Sequence, residues 1–183
     1  MFNLFKKWQS KKENKRRELD GAGIRLLASV MVCFPEITTL QYEPKESMLK
    51  VTFAIKTVMR QDEFDKLALD LSESVSTYHA LMGIQAESLQ MSMDIQNDFS
   101  FLHVNRDLYS VTRGELALLS EFVADRFTDK LLIDTVGREH MDPEFLASQE
   151  DLLDQMLCNT HSLRLADRLV GIREDDRVVV YNK

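Results

Sequence analysis

The sequence predicts an α+β fold: an antiparallel sheet built from two ββα-like units, residues 37–82 and 86–128, with helices on one face, then a C-terminal helix and a β-hairpin. Three observations predict it. Leu49, Val51, Phe53 and Ile55 alternate with Lys50, Thr52, Ala54 and Lys56, the period of two expected of a strand with one buried face. Beyond Arg60 the period lengthens, and Phe64, Leu67, Ala68, Leu71, Val75, Tyr78 and Met82 make one helical stripe. The order then echoes itself: Leu40-Gln41 precedes a strand and the helix after Arg60, and Leu89-Gln90 precedes a strand and the helix after Arg113. A strand face and a helix stripe of matching length can bury each other, which makes the pair a natural layer unit.

The chain opens with MFNLFKKWQSKKENKRR. Met1, Phe2, Leu4, Phe5 and Trp8 crowd the front, interleaved with and followed by Lys6, Lys7, Lys11, Lys12, Lys15, Arg16 and Arg17. Seven basic residues against three acidic ones give residues 1–20 a net charge of +4, so the total of −7 leaves −11 on the remainder. Apolar and aromatic residues beside a basic cluster are the composition of an interfacial membrane anchor. Each cation is worth about 1 kcal/mol near an anionic lipid surface. Two other readings stand beside it: a disordered, solvated leader, and an arm that sets Lys6–Arg17 against RNA phosphates and stacks Trp8 on a base. The acidic body is a poor surface for nucleic acid, so any such contact is confined to residues 6–17.

Asp20-Gly21-Ala22-Gly23 is expected to break the chain between this arm and a core of residues 21–135. It is no dinucleotide loop, because no strand precedes it and Leu26 stands where the third glycine belongs. Ile24, Leu27, Ala28 and Met31 predict a short helix, widened by Leu26, Val30 and Cys33 and ended by Pro35. Strands at Ile37–Tyr42 and Met48–Val58 flank a turn at Pro44. A helix follows at Gln61–Met82, stopped by Gly83. His79 lies off its apolar stripe and is expected at the rim. Leu89, Met91, Met93 and Ile95 alternate with polar residues as a further strand, Asn97-Asp98 turns the chain, and Phe99–Val104 returns. Thr112-Arg113-Gly114-Glu115 matches a capping box before a helix at 113–128. Asp107, Arg113, Glu115 and Glu121 are expected as solvated charges.

Residues 136–183 are expected to form a C-terminal helix and β-hairpin packed on the core. Asp142-Pro143-Glu144 opens a helix, with Asp as N-cap and Pro at N1. Two β-rich runs, Arg168–Arg173 and Arg177–Tyr181, surround an acidic turn. The second is apolar on both faces, so an exposed edge there would invite pairing with another strand. Val178 and Val180 are therefore the self-association candidates.

No G-x-x-x-x-G-K-[ST], G-x-S-x-G, H-E-x-x-H or C-x-x-C pattern is present. Cys33 and Cys158, far apart in apolar-periodic segments, read as buried thiols in a reducing compartment. The best metal candidate joins His140 to Cys158 and His161, a C-x-x-H spacing lacking a second paired cluster. No cofactor is indicated. No apolar run reaches the roughly 18 residues of a bilayer span. The expectation is a non-catalytic cytoplasmic interaction protein. Its acidic body would bind a protein partner or a second copy, and its arm would tether it to the inner membrane face. An RNA- or ribosome-associated factor and a metal-dependent hydrolase are the alternatives.

Overall fold

The computed structural model describes residues 21–133, 141–163, 165–174 and 177–182. Helix α1 covers 21–33. It is followed by β1 (Thr39–Glu43), β2 (Met48–Ile55), α2 (Gln61–Met82), β3 (Leu89–Gln96), β4 (Phe99–Asp107), α3 (Arg113–Phe127), α4 (Pro143–Cys158), β5 (Leu169–Glu174) and β6 (Arg177–Asn182). The six strands form one antiparallel sheet in the order β3-β4-β2-β1-β5-β6. The expected α+β class is therefore what the chain adopts.

The register explains where the core sits. Leu40 lies opposite Val51, and Val51 opposite Val104. The same face carries Tyr42, Leu49, Phe53, Leu102 and Leu169, all buried. The helices contribute Leu26, Leu27, Val30 and Met31 from α1; Leu67, Leu71 and Val75 from α2; Leu116, Leu119 and Val123 from α3; and Leu153 and Leu157 from α4. All four helices thus meet one face of the sheet. The second face displays Thr39, Lys50, Thr52, Phe99, Phe101, His103, Ile172, Val179 and Tyr181, and none of these belongs to that core.

Each ββα unit closes through local chemistry. The Arg60 N–H donates to the Glu63 carboxylate at 2.8 Å, and Gly83 ends α2 with φ 66°, a left-handed conformation that a Cβ would oppose. The two units join through their second strands, β2 against β4. The C-terminal hairpin extends the sheet through β5 against β1. There α1 and the sheet come unusually close. A Cβ on Gly171 would lie 2.7 Å from Met31 Sδ, and one on Gly23 would lie 2.4 Å from Leu169 Cδ1. Arg173 reinforces the contact by donating to the carbonyls of Met31, Phe34 and Ile37 at the end of α1, where the helix leaves its last acceptors unsatisfied.

Several expectations are corrected. The 20–23 break fails in its described part: residues 21–23 are helical, and Gly23 is buried against Leu165 and Leu169 rather than serving as a linker. The buried side of α1 centres on Leu26, Leu27, Val30 and Met31, leaving Ile24 exposed. The α2 stripe ends before Met82, which is 62% exposed. Strand β2 stops at Ile55, since Lys56 donates instead to Lys130 O and Leu131 bridges to Ile55. Cys33 is buried, but Cys158 is exposed at the last turn of α4. Strand β4 continues past Val104 to Asp107.

Candidate functional site

That extension of β4 creates a buried polar cluster. Arg106 falls two residues beyond Val104, so it points to the helix-covered face and is fully buried. Its Nε and Nη2 donate to Glu115, the latter at 3.2 Å, and Nη1 donates to Asp107 and to Ser88 O. Nη2 also donates to Ser110 Oγ at 2.9 Å. His79 of α2 meets Glu115 Oε2 at 2.8 Å, and Tyr78 meets Thr112 Oγ1 at 2.9 Å. The Arg106 guanidinium and the Glu115 carboxylate it holds therefore tie together the end of α2, the residue before β3, the end of β4 and the first turn of α3.

The expected solvation of Asp107 and Glu115 is overturned: they are 3% and 0% exposed. The predicted cap is half right. The Thr112 side chain accepts from the Glu115 N–H at 3.1 Å, but the Glu115 carboxylate serves Arg106 and His79 instead of returning to the Thr112 backbone. A carboxylate in the first turn of α3 also meets the positive end of the helix dipole. His79 is at the expected rim, with a side chain 12% exposed. Burial alone would lower the Arg106 pKa, but hydrogen bonds and charge from Glu115, then Asp107, hold it above its ordinary value. Burial would raise Asp107, yet bonds from Ser110 and the Ser88 N–H, with the Arg106 charge, hold it below the usual carboxylate range. All five N–H donors of the Arg106 guanidinium are met by acceptors inside the protein. The cluster is a clasp between elements.

A second constellation resembles a catalytic triad. Thr52 Oγ1 lies 3.0 Å from His103 Nδ1, and His103 Nε2 lies 3.0 Å from Asp94 Oδ2. Burial lowers the His103 pKa against the opposing pull of Asp94. Nucleophilic catalysis also needs an accessible oxygen and a pair of donors for the oxyanion. Thr52 is 4% exposed and sits mid-strand between β1 and β4, where backbone N–H groups are committed to the ladders. The three side chains form a polar ladder across β2, β4 and β3.

The sequence-predicted sites fall in three places. Phe2, Leu4, Phe5, Lys6, Lys7, Trp8, Lys11, Lys12, Lys15, Arg16 and Arg17 lie outside the described residues, as does His140. Of the remaining metal candidates, Cys158 is exposed and the His161 ring stacks on Tyr109, centroids 4.5 Å apart. No group of three potential metal ligands converges among the described residues. Val178 and Val180 lie in β6, the terminal strand of the sheet, and their side chains rest half-buried against the core. Val179 is half-buried on the opposite face, and Tyr181 is 43% exposed. The other terminal strand, β3, instead turns Gln90, Ser92, Asp94 and Gln96 to solvent. Among the described residues no helix is long and apolar enough to cross a membrane. No protein-family model, no curated protein and no solved structure matches this chain.

Proposed function

We propose that this is a non-catalytic interaction protein that pairs through its β6 edge with a second copy of itself, held at the inner membrane face by its basic, aromatic arm. The observation that carries the reading is the contrast between the two sheet edges. On the face turned away from the helices β3 carries Gln90, Ser92, Asp94 and Gln96, whereas β6 carries Val179 and Tyr181 there. An apolar terminal strand has unpaired backbone groups on its outer side and invites an added strand. A second copy brings the same strand in antiparallel register about a two-fold axis, which sets valines against valines. A contact of one short strand is small beside the roughly 1,200–2,000 Å² of stable interfaces. The pairing is therefore weak and concentration-dependent.

The two halves of the reading are tested separately. Sedimentation velocity over a range of concentrations should show dimer growing in for the natural chain and none for Val179→Lys, which places a charge on the face of β6 turned away from the helices. A natural chain that stays monomeric throughout refutes the edge contact. Co-sedimentation with vesicles tests the arm. The full chain should pellet with anionic vesicles only, and a chain lacking residues 2–17 with none. Unchanged pelleting of the shortened chain removes the tether, and salt-sensitive binding of single-stranded RNA without lipid assigns the arm to nucleic acid.

A further inference from the structure

We propose that the N-terminal arm, when not engaged by a membrane, folds back in cis and docks a lysine into an acidic cavity between α1, α3 and α4. The inference rests on the arm being a reversible tether. The cavity holds about 230 Å³ and is lined by Cys33, Glu36, Arg113, Ser120, Glu121 and Glu150. Three glutamates face one arginine there, and that arginine is already engaged: Arg113 reaches Asp154 at 2.8 Å and Glu150 at 3.4 Å. Among the described residues no cation pairs with Glu36 or Glu121. The adjoining surface extends the negative charge, because α4 carries Glu144, Glu150, Asp151 and Asp154 and no Lys or Arg.

An acidic cluster alone selects nothing, but the wall of this cavity holds a second feature. Ser120 is 3% exposed, and its Oγ has no hydrogen-bond partner among the described residues. A buried hydroxyl left unpaired keeps its full desolvation penalty. A lysine ammonium answers both features, since it is compact and carries one positive charge with three donors. Two donors are left for carboxylates once one meets Ser120.

The chain supplies such a group nearby. Lys11, Lys12 and Lys15 precede Gly21 by six to ten residues, an extended reach of roughly 20–35 Å. Helix α1 rises about 1.5 Å per residue, so the cavity beside Cys33 lies about 18 Å from Gly21. An arm that doubles back along α1 reaches it without strain, and its net +4 meets the acidic side of α4. Membrane and cavity then compete for the same lysines, and the arm is released where anionic lipid is dense.

Carbodiimide cross-linking of the full chain at low salt, without lipid, tests the contact, because the reagent joins amines to carboxylates already in contact. A mixture of ¹⁴N and ¹⁵N protein separates links within a chain from links between chains. Links from Lys11, Lys12 or Lys15 to Glu36, Glu121 or Glu150 within one chain are expected, several-fold weaker in half-molar salt or with anionic vesicles. Links that are absent, that form only between chains, or that fall equally on Asp62 and Glu63 of α2 overturn the proposal. Trp8 is the only tryptophan, so its quenching by acrylamide gives an independent reading. It should rise at least twofold in the Glu36→Gln/Glu121→Gln chain, whose melting temperature checks the fold, and no change overturns the proposal. Vesicle pelleting without cross-links removes the docking and keeps the tether. Cross-links without pelleting do the reverse.

Discussion

Arg106 and Arg113 lie seven residues apart, one near the end of β4 and the other opening α3, and each reaches two carboxylates. Arg106 holds Asp107 and Glu115, with side chains 0%, 5% and 0% exposed. Arg113 holds Glu150 and Asp154, with side chains 36%, 44% and 45% exposed. The pairs are alike in chemistry and opposite in setting. In water an ion pair exchanges one good solvation for another. In the core, removing one partner strands a charge that can no longer reach solvent. The Arg106 group is thus indispensable once built, whereas the Arg113 group is an adjustable link between α3 and α4.

The strongest way to break this comparison is Arg106→Met. It leaves Asp107 and Glu115 buried without their cation, and a loss of about 3–5 kcal/mol is expected, read as a lower urea midpoint. Arg106→Met with Glu115→Leu and Asp107→Asn should recover most of that loss, because the stranded charges go with their partner. If the single substitution costs under about 1 kcal/mol, the cluster behaves like a surface pair and the distinction fails.

This part of the molecule was the least legible in the sequence, for a physical reason. Apolar periodicity, of two in β2 and helical in α2, marked both elements because their buried faces are hydrocarbon, and Gly83, Thr112 and Pro143 marked helix ends because each solves a local backbone problem. Arg106 occupies the inward position after Leu102 and Val104, yet a charge there reads as the end of a strand. The period itself carried the information, since Arg106 stands at the next even step. Its partners were beyond reach: Glu115 is brought over by the α3 turn, and His79 by antiparallel packing of α2, and neither contact has a local signature. Gly21-Ala22-Gly23 misled in the opposite way. Glycine reads as a break, but here its missing side chain lets α1 approach β5. The edge character of β6 was readable from its valines, although its place outside β5 depends on the pairing of β5 with β1.

Acid sharpens the comparison at intermediate scale. Asp107 has a lowered pKa in the folded state, so its contribution is full above the ordinary carboxylate range and is lost as pH falls through the lowered value. His103 is lowered too. The folded state prefers the neutral ring, and that stability is present above the ordinary histidine value and is lost as pH falls through the folded one. Urea titrations should therefore show stability falling in two steps on acidification. His103→Gln should remove the earlier step and Asp107→Asn the later one. A later step unchanged by Asp107→Asn would mean that other carboxylates dominate acid unfolding.

Thr112 separates the two arginines and allows a smaller test. Its hydroxyl accepts the Glu115 N–H and meets Tyr78. Thr112→Ala removes an N-cap, worth about 1 kcal/mol, and loosens the turn that aims Glu115 at Arg106. Thr112→Ser keeps the oxygen and should stay within about 0.5 kcal/mol of the natural chain. Equal losses for both would assign the effect to the methyl group rather than the cap.

The smallest effect is expected at Arg113. Asp154 and then Glu150 hold its pKa up, but all three side chains keep contact with water, where exposed pairs contribute about 0–1 kcal/mol. Arg113→Met should barely move the urea midpoint. Its effect should appear locally, as faster amide exchange along α4 with α2 and the sheet unchanged, because a weak link at the edge of a fold tunes local opening more than global unfolding. It also removes the one cation among the described residues that pairs with Glu150, leaving that side of α4 more negative. A basic segment drawn to α4 should then bind more tightly, so in the full chain the faster exchange should be smaller than in a chain lacking residues 2–17. Equal acceleration in both chains would separate α4 from the arm, and a large drop in global stability would make the two arginine groups equivalent after all.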